Sequence, residues 1–255
     1  MSYSCIDIER VRERLDRYLH SNDYASAERH LKYWLDEARA GSDVRAELFM
    51  LNELMGLYRK TGRKGEALDC CNMALDIVDG GDVIGSITSA TTYINVATVY
   101  KAFGLADRAV PLFERAKDIY EASLDKGDAR LGGLYNNMGL ALADVGRFDE
   151  AEHFYRKAIG VMERIDGGEG EVAITYLNLA TLTEKKQGLV DGDEEIMAYL
   201  DIAEGLLEGQ TVRDGYYAFI CEKCASVFGY YGRFIYEKTL YDRANEIYKR
   251  EGKRG

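Results

Sequence analysis

Residues 130–165 read RLGGLYNNMGLALADVGRFDEAEHFYRKAIGVMERI. Before Gly146, apolar or small side chains recur at helical spacing on one face, at Tyr135, Met138, Gly139 and Leu142. A second stripe follows the glycine, formed by Phe148, Ala151, Tyr155, Ala158 and Ile159. Glycine enters the left-handed C-cap conformation without steric cost, so Gly146 is predicted to end the first helix. The stretch therefore predicts two antiparallel helices joined by a tight turn.

The same pattern recurs along the chain at a fixed step. Glycines stand at positions 62, 104, 146 and 188, each 42 residues after the last. Two columns of alanine follow at the same step, one formed by Ala67, Ala109 and Ala151 and the other by Ala74, Ala116 and Ala158. Small side chains allow helix axes to approach closely, so both columns are expected in helix–helix seams. Several columns in one register indicate a repeat protein.

The fold predicted from this pattern is all-α, a right-handed superhelical α-solenoid of about six antiparallel helix pairs. One proline in 255 residues agrees with long helices. A single array is predicted over residues 1–255. It begins with a degenerate hairpin at 5–40, continues with repeats at 46–80, 88–124, 130–165 and 171–209, and ends with a capping hairpin at 213–250.

The composition indicates which class of partner and which cellular compartment to expect. The formal net charge of −11 disfavours a nucleic-acid partner, because such a surface repels phosphates. The basic tail, from Lys249 and Arg250 to Lys253 and Arg254, is interpreted as a solvated helix end. No stretch is apolar enough to span a membrane, and Met1 to Leu15 lack the core of a secretory signal. Five cysteines, an odd and low number, favour a reducing cytosol, so a cytoplasmic protein is predicted.

The columns resemble a known repeat family. Tyr93, Ala97, Gly104, Ala109 and Phe113, with their counterparts one step later, are similar to tetratricopeptide repeats. The 42-residue step and the segment 110–116, which carries a proline early in its helix, resemble the longer-helix subtype of the kinesin light chains. The resemblance implies that the first helices of the pairs line a concave groove that binds an extended peptide or a partner protein.

Asparagines mark the groove. Asn95, Asn137 and Asn178 share one position in successive first helices, and the first repeat breaks this column with Glu53. Amides can bind a peptide backbone without selecting its sequence, and the resemblance implies such a role; alternatively they brace neighbouring helices by hydrogen bonds. Ile94, Leu140 and Leu177 are expected to form shallow apolar pockets. The register adds further candidates for the peptide-binding face: Asn52, Asn136, Thr98, Lys101 and Thr181.

The sequence carries only weak motifs for catalysis or for binding a metal or phosphate. Cys221 and Cys224 resemble half a zinc site, but no second pair follows, and the register places both on a packing face. The three histidines form no set with a carboxylate. The acidic run 191–195 lacks the ligand spacing of a calcium loop, and the glycine-rich turns, such as 79–82, lack the strand and lysine of a phosphate loop. No catalytic residue, metal or cofactor is therefore predicted.

The sequence thus predicts a non-enzymatic interaction scaffold whose partner is a protein or peptide. An alternative is an intracellular regulatory receptor that senses a peptide and acts on a protein partner. The sequence leaves the oligomeric state open.

Overall fold

The computed structural model describes residues 5–81 and 85–252. Within these ranges the chain forms twelve α-helices and no strand. Asp82 of the glycine-rich turn 79–82 and Lys253 and Arg254 of the basic tail lie outside the described residues.

The helices fall into two compact units, Met1–Ser123 and Leu124–Gly255. The first holds α1 (Ile8–His20), α2 (Tyr24–Ala40), α3 (Val44–Lys60), α4 (Lys64–Gly80), α5 (Ile87–Ala102) and α6 (Ala106–Ser123). The second holds α7 (Ala129–Asp144), α8 (Phe148–Met162), α9 (Glu169–Asp191), α10 (Asp193–Gly209), α11 (Gly215–Tyr230) and α12 (Phe234–Arg250).

Each odd-numbered helix packs on the helix that follows it, and successive pairs pack on one another within each unit. We call the first helix of a pair helix A and the second helix B. This construction confirms the all-α solenoid class. The right-handed sense of the superhelix and the single array over residues 1–255 stay predictions.

Positive-φ residues form the turns between helices A and B. Gly62, Gly104, Gly146, Gly188 and Gly232 have φ between 71° and 84°. Only glycine adopts this conformation at no steric cost, which explains the 42-residue spacing seen in the sequence. In the first pair Asn22 takes the position with φ 56°, as the amide side chains of turn residues allow.

The two alanine columns lie in the seams. All six alanines are completely buried. In the pair formed by α7 and α8 the approach is closer still, because a Cβ added at Gly139 would lie 2.5 Å from the Tyr155 ring. Small residues at these positions therefore set the distance between helices, as the repeat pattern predicted.

Tyrosines at the helix edges join the pairs through charged groups. Arg63 donates to Glu28 at 2.5 Å and lies over the ring of Tyr58, whose hydroxyl also donates to Glu28. Hydrogen bonding by Arg63 lowers the pKa of Glu28 to about 2. Arg115, Asp79 and Tyr93 form a similar cluster later in the same unit. These clusters fix consecutive pairs at their solvent-exposed edges.

The pair formed by α9 and α10 departs from the regular turn. Helix α9 continues to Asp191 but carries non-helical angles at Gly188 (φ 84°, ψ 169°). The acidic run then opens α10, with Asp193, Glu194 and Glu195 in its first turn, where carboxylates suit the helix dipole. Among the described residues, no helix combines the length and apolarity needed to cross a bilayer.

Candidate functional site

An amide pair bridges two helices A in the first unit. Asn95 Nδ2 on α5 donates to Asn52 Oδ1 on α3 at 2.8 Å. Asn52 Nδ2 in turn donates to the Leu48 carbonyl and, at 3.3 Å, to Thr92 Oγ1. Both asparagines are half-buried. The bracing role considered for these amides is thus realised between α3 and α5.

The second unit repeats this amide pair. Asn178 Nδ2 on α9 donates to Asn136 Oδ1 on α7 at 2.8 Å, and Thr175 Oγ1 lies 3.3 Å from the same oxygen. Asn137 is half-buried as well, but its side chain makes no hydrogen bond within the described part of the chain. Hence Asn95 and Asn178 of the predicted column serve as braces, while Asn137 does not.

The remaining predicted site residues lie on helices A with differing exposure. Ile94, Thr98, Lys101 and Leu140 are half-buried, and Thr181 is exposed. Leu177 is the exception. It is only 2% exposed, so it belongs to the packed core of the second unit rather than to an open apolar pocket. Burial removes its apolar surface from water, which is favourable at a position where helices pack closely.

A cleft of about 500 Å³ opens on the helix-A face of the first unit. Helices α1, α3 and α5 all contribute side chains to it, and Asn52 and Asn95 lie among them. Its apolar wall includes Leu48 and Phe49, and its charged groups include Glu53. The cleft therefore places the braced amides beside both apolar surface and charge.

The helix-A face of the second unit has a different character on α11. Tyr216, Phe219, Lys223 and Tyr230 form one exposed stripe at helical spacing. The rings of Tyr216 and Phe219 stack with centroids 6.3 Å apart, and Lys223 Nζ lies 5.5 Å from the centroid of Phe219.

Tyrosine hydroxyls donate hydrogen bonds to the carboxylates of this second face. Tyr216 donates to Glu171 on α9. Tyr230 and Tyr231 both donate to Glu184 on α9, at 2.6 and 2.7 Å. Glu184 accepts through both of its oxygens and Glu171 through one, so the fold already engages both carboxylates.

The cysteines lack the environment of a nucleophile. Burial raises the pKa of the Cys70 thiol to about 11 and that of Cys71 to about 12. Cys221 and Cys224 are buried, and burial raises the pKa of both, as their predicted packing role requires. Within the described ranges no group of three or more His, Cys, Asp or Glu side chains could hold a metal ion.

Reasoning from sequence missed two parts of the candidate site. The contribution of α1 to the cleft was not anticipated, because the first hairpin lacks most of the repeat columns. The stripe on α11 was also missed, although the spacing of Tyr216, Phe219, Lys223 and Tyr230 was a detectable signal.

Two segments of the chain match models of a known repeat family. Residues 130–188 and 89–128 each match a family model described as tetratricopeptide repeat. No curated protein sequence matches the chain at a significant level.

Solved structures share the fold. BtubC (BKLC) from P. vanneervenii is 22% identical over 92% of this chain and 93% of that chain, with a TM-score of 0.57. A putative kinesin light chain from Podosopora anserina with nearly identical TPR-like repeats is 14% identical over 80% of this chain and 96% of that one, also with a TM-score of 0.57. A Rap protein complexed with Competence and Sporulation Factor is 15% identical over 94% of this chain and 77% of that one, with a TM-score of 0.56. The repeat step, the matched repeat models and the shared helix-pair architecture lead to one conclusion: residues 89–128 and 130–188 are tetratricopeptide repeats, in a chain whose fold is similar to that of solved kinesin-light-chain-like repeat proteins.

Proposed function

We propose that this protein is a cytoplasmic, non-catalytic interaction scaffold that binds an extended peptide, or an extended segment of a partner protein, along its helix-A faces. The observation that supports this most directly is the pair of amide braces. In each of them the side chain is held in one orientation by a neighbouring helix A while remaining partly open to solvent.

The braces leave acceptors free. In both pairs the later asparagine donates through Nδ2, and its Oδ1 accepts no hydrogen bond from the described residues. An extended peptide presents backbone N–H donors that need such acceptors. Because the braces already fix Asn95 and Asn178, a peptide would lose little affinity to ordering them.

The other features favour binding over chemistry. Burial raises the pKa of four of the five cysteine thiols, and those thiols are therefore poor nucleophiles near neutral pH. The net charge of −11 disfavours phosphate-rich partners. A protein or peptide partner fits this surface better than a nucleic acid.

A second candidate function is a regulatory receptor that senses a peptide and passes the signal to a protein partner. The fold-level similarity to the Rap protein solved with Competence and Sporulation Factor, which extends over 94% of this chain, supports it. Both candidates require the same ligand-binding face.

Selection from a displayed library of random linear peptides, followed by anisotropy titration of a selected peptide, tests the proposal. The double variant Asn95→Ala/Asn178→Ala removes the free acceptors together with the braces. The matched control, Asn52→Ala/Asn136→Ala, removes only the partner amides. We expect about a tenfold loss of affinity or more for the first and a smaller loss for the second. Equal losses would show that the amides only brace the helices, and failure to select any peptide would refute the proposal.

A further inference from the structure

One carboxylate in the cleft of the first unit has no partner. Glu53 lies on α3 and lines the cleft. It is half-buried, yet it forms no hydrogen bond and no ion pair with any described residue. Its position in the repeat is that of Asn95 and Asn178 in later helices A, so a negative charge stands where the next three repeats present a neutral amide; the helix A after those carries Lys223 there.

The charged groups around Glu53 compensate its negative charge only in part. Burial raises the pKa of its carboxyl, an effect that Arg12 opposes and Asp16 reinforces. Arg12 is already engaged, since it forms an ion pair with Glu9 at 2.6 Å and lies over the Phe49 ring at 5.1 Å. The residues that line the cleft on α5 carry no ionisable side chain. The fold thus keeps a partly desolvated carboxylate that pairs with none of the described cations and whose charge Arg12 compensates only in part.

The cleft favours a cation over an anion. Its lining carries three carboxylates against two guanidinium groups. Arg45, the second of these, is exposed to solvent and so gains little from pairing with a ligand. Glu53 is the more desolvated group, and an ion pair there is less screened by water. The half-buried ring of Phe49 can receive the aliphatic part of a long basic side chain.

We infer that this cleft binds a lysine or arginine side chain of the bound peptide, with Glu53 as its counter-charge and Asn95 beside it for the peptide backbone. The inference rests on the proposed function, because it assigns a side-chain preference to the same face.

The test begins with peptides selected from a displayed random library against the full-length protein. Each lysine of a selected peptide is replaced by norleucine and each arginine by citrulline, which keep the length and remove the charge. We expect one such replacement to weaken binding to the wild-type protein about tenfold, the loss that accompanies one charge-assisted hydrogen bond. Glu53→Gln should bind the charged and neutral peptides with equal affinity.

Two variants control for other effects. Glu53→Asp keeps the charge and should retain a preference for the basic peptide. Glu13→Gln, at an exposed position of α1 outside the cleft lining, should retain the full tenfold preference. Circular dichroism confirms that each variant is folded.

The possible outcomes separate the two proposals. Selected peptides without any dependence on a basic residue would overturn this inference and leave the proposed function standing. An undiminished preference in Glu53→Gln would do the same. If no peptide binds at all, the proposed function fails and this inference fails with it.

Discussion

Glu53 on helix A of the first unit differs from two helix-A carboxylates of the second unit. In the second unit, Glu171 and Glu184 accept hydrogen bonds from tyrosine hydroxyls on the next helix A or at its end. In the first unit, Glu53 has no such donor, although it lies on a face of the same construction. A satisfied carboxylate contributes to the fold, whereas an unsatisfied one reduces stability and is available to a ligand. The same repeat thus engages glutamates within the fold in one unit and leaves Glu53, the residue of the proposed binding cleft, without a partner among the described residues in the other.

The largest effect expected from this comparison follows loss of Glu184. In Glu184→Ala the hydroxyl of Tyr231, a side chain only 9% exposed, loses its acceptor. An unsatisfied, nearly buried hydroxyl costs about 1–3 kcal/mol, which urea denaturation would detect as a lower free energy of unfolding. Adding Tyr231→Phe should recover part of the loss. Wild-type stability in Glu184→Ala would mean that the tyrosine–carboxylate contacts do not support the second unit.

Low pH should abolish the contribution of Glu28 to the stability of the first unit. The pKa of Glu28 is lowered from 4.5 to about 2, so its contribution is present above pH 4.5 and is lost as the pH falls toward 2. We expect Glu28→Gln to lose about 1–2 kcal/mol at pH 7, a discounted value because Arg63 is 39% exposed, and to match the wild type near pH 2.

Urea titrations across this pH range measure the effect, with Glu13→Gln as the control. A constant difference between Glu28→Gln and the wild type at every pH would contradict the assignment to Glu28.

The amide braces should contribute equally in both units. Asn52→Ala and Asn136→Ala each remove one brace at 2.8 Å, and a hydrogen bond of this kind contributes about 1 kcal/mol net. Asn137→Ala removes no side-chain hydrogen bond among the described residues and should leave the free energy of unfolding nearly unchanged. Equal effects of Asn136→Ala and Asn137→Ala would show that the brace is not the source of the loss.

The smallest expected effect has the opposite sign. Because burial raises the pKa of Glu53, its charged form is disfavoured in the folded state, and stability falls as the pH rises through the folded pKa. Glu53→Gln should therefore be slightly more stable than the wild type at pH 7, within about 0.5 kcal/mol, and should lose this advantage at low pH. Thermal melts at several pH values would show it. Destabilisation at pH 7 would mean that Glu53 has a structural role.

The sequence was most informative at positions where the backbone conformation or the helix spacing restricts the residue type. Gly146 and its counterparts require positive φ, and Ala151 and its counterparts require close helix approach, so the turns and seams could be predicted from residue type alone. The amide column could be placed on helices A but not assigned to bracing or binding, because that choice depends on which helix lies within hydrogen-bond distance.

Other parts of the site depend on tertiary context. Leu177 has the periodicity of an accessible position and is nevertheless buried. Glu53 could be recognised as an irregularity in a column, but the lack of a partner for it is a property of the neighbouring helices. The cleft needs α1, whose sequence carries few repeat signals.

The spacing of the amide braces also has a kinetic consequence. Each brace joins residues 42 or 43 positions apart, and the remaining packing is mostly between consecutive helices. Proteins with such local contacts fold quickly, since little chain entropy is lost before a contact is gained. A nascent chain could close each brace as soon as one further repeat has left the ribosome, so assembly would proceed stepwise from the N-terminus during translation.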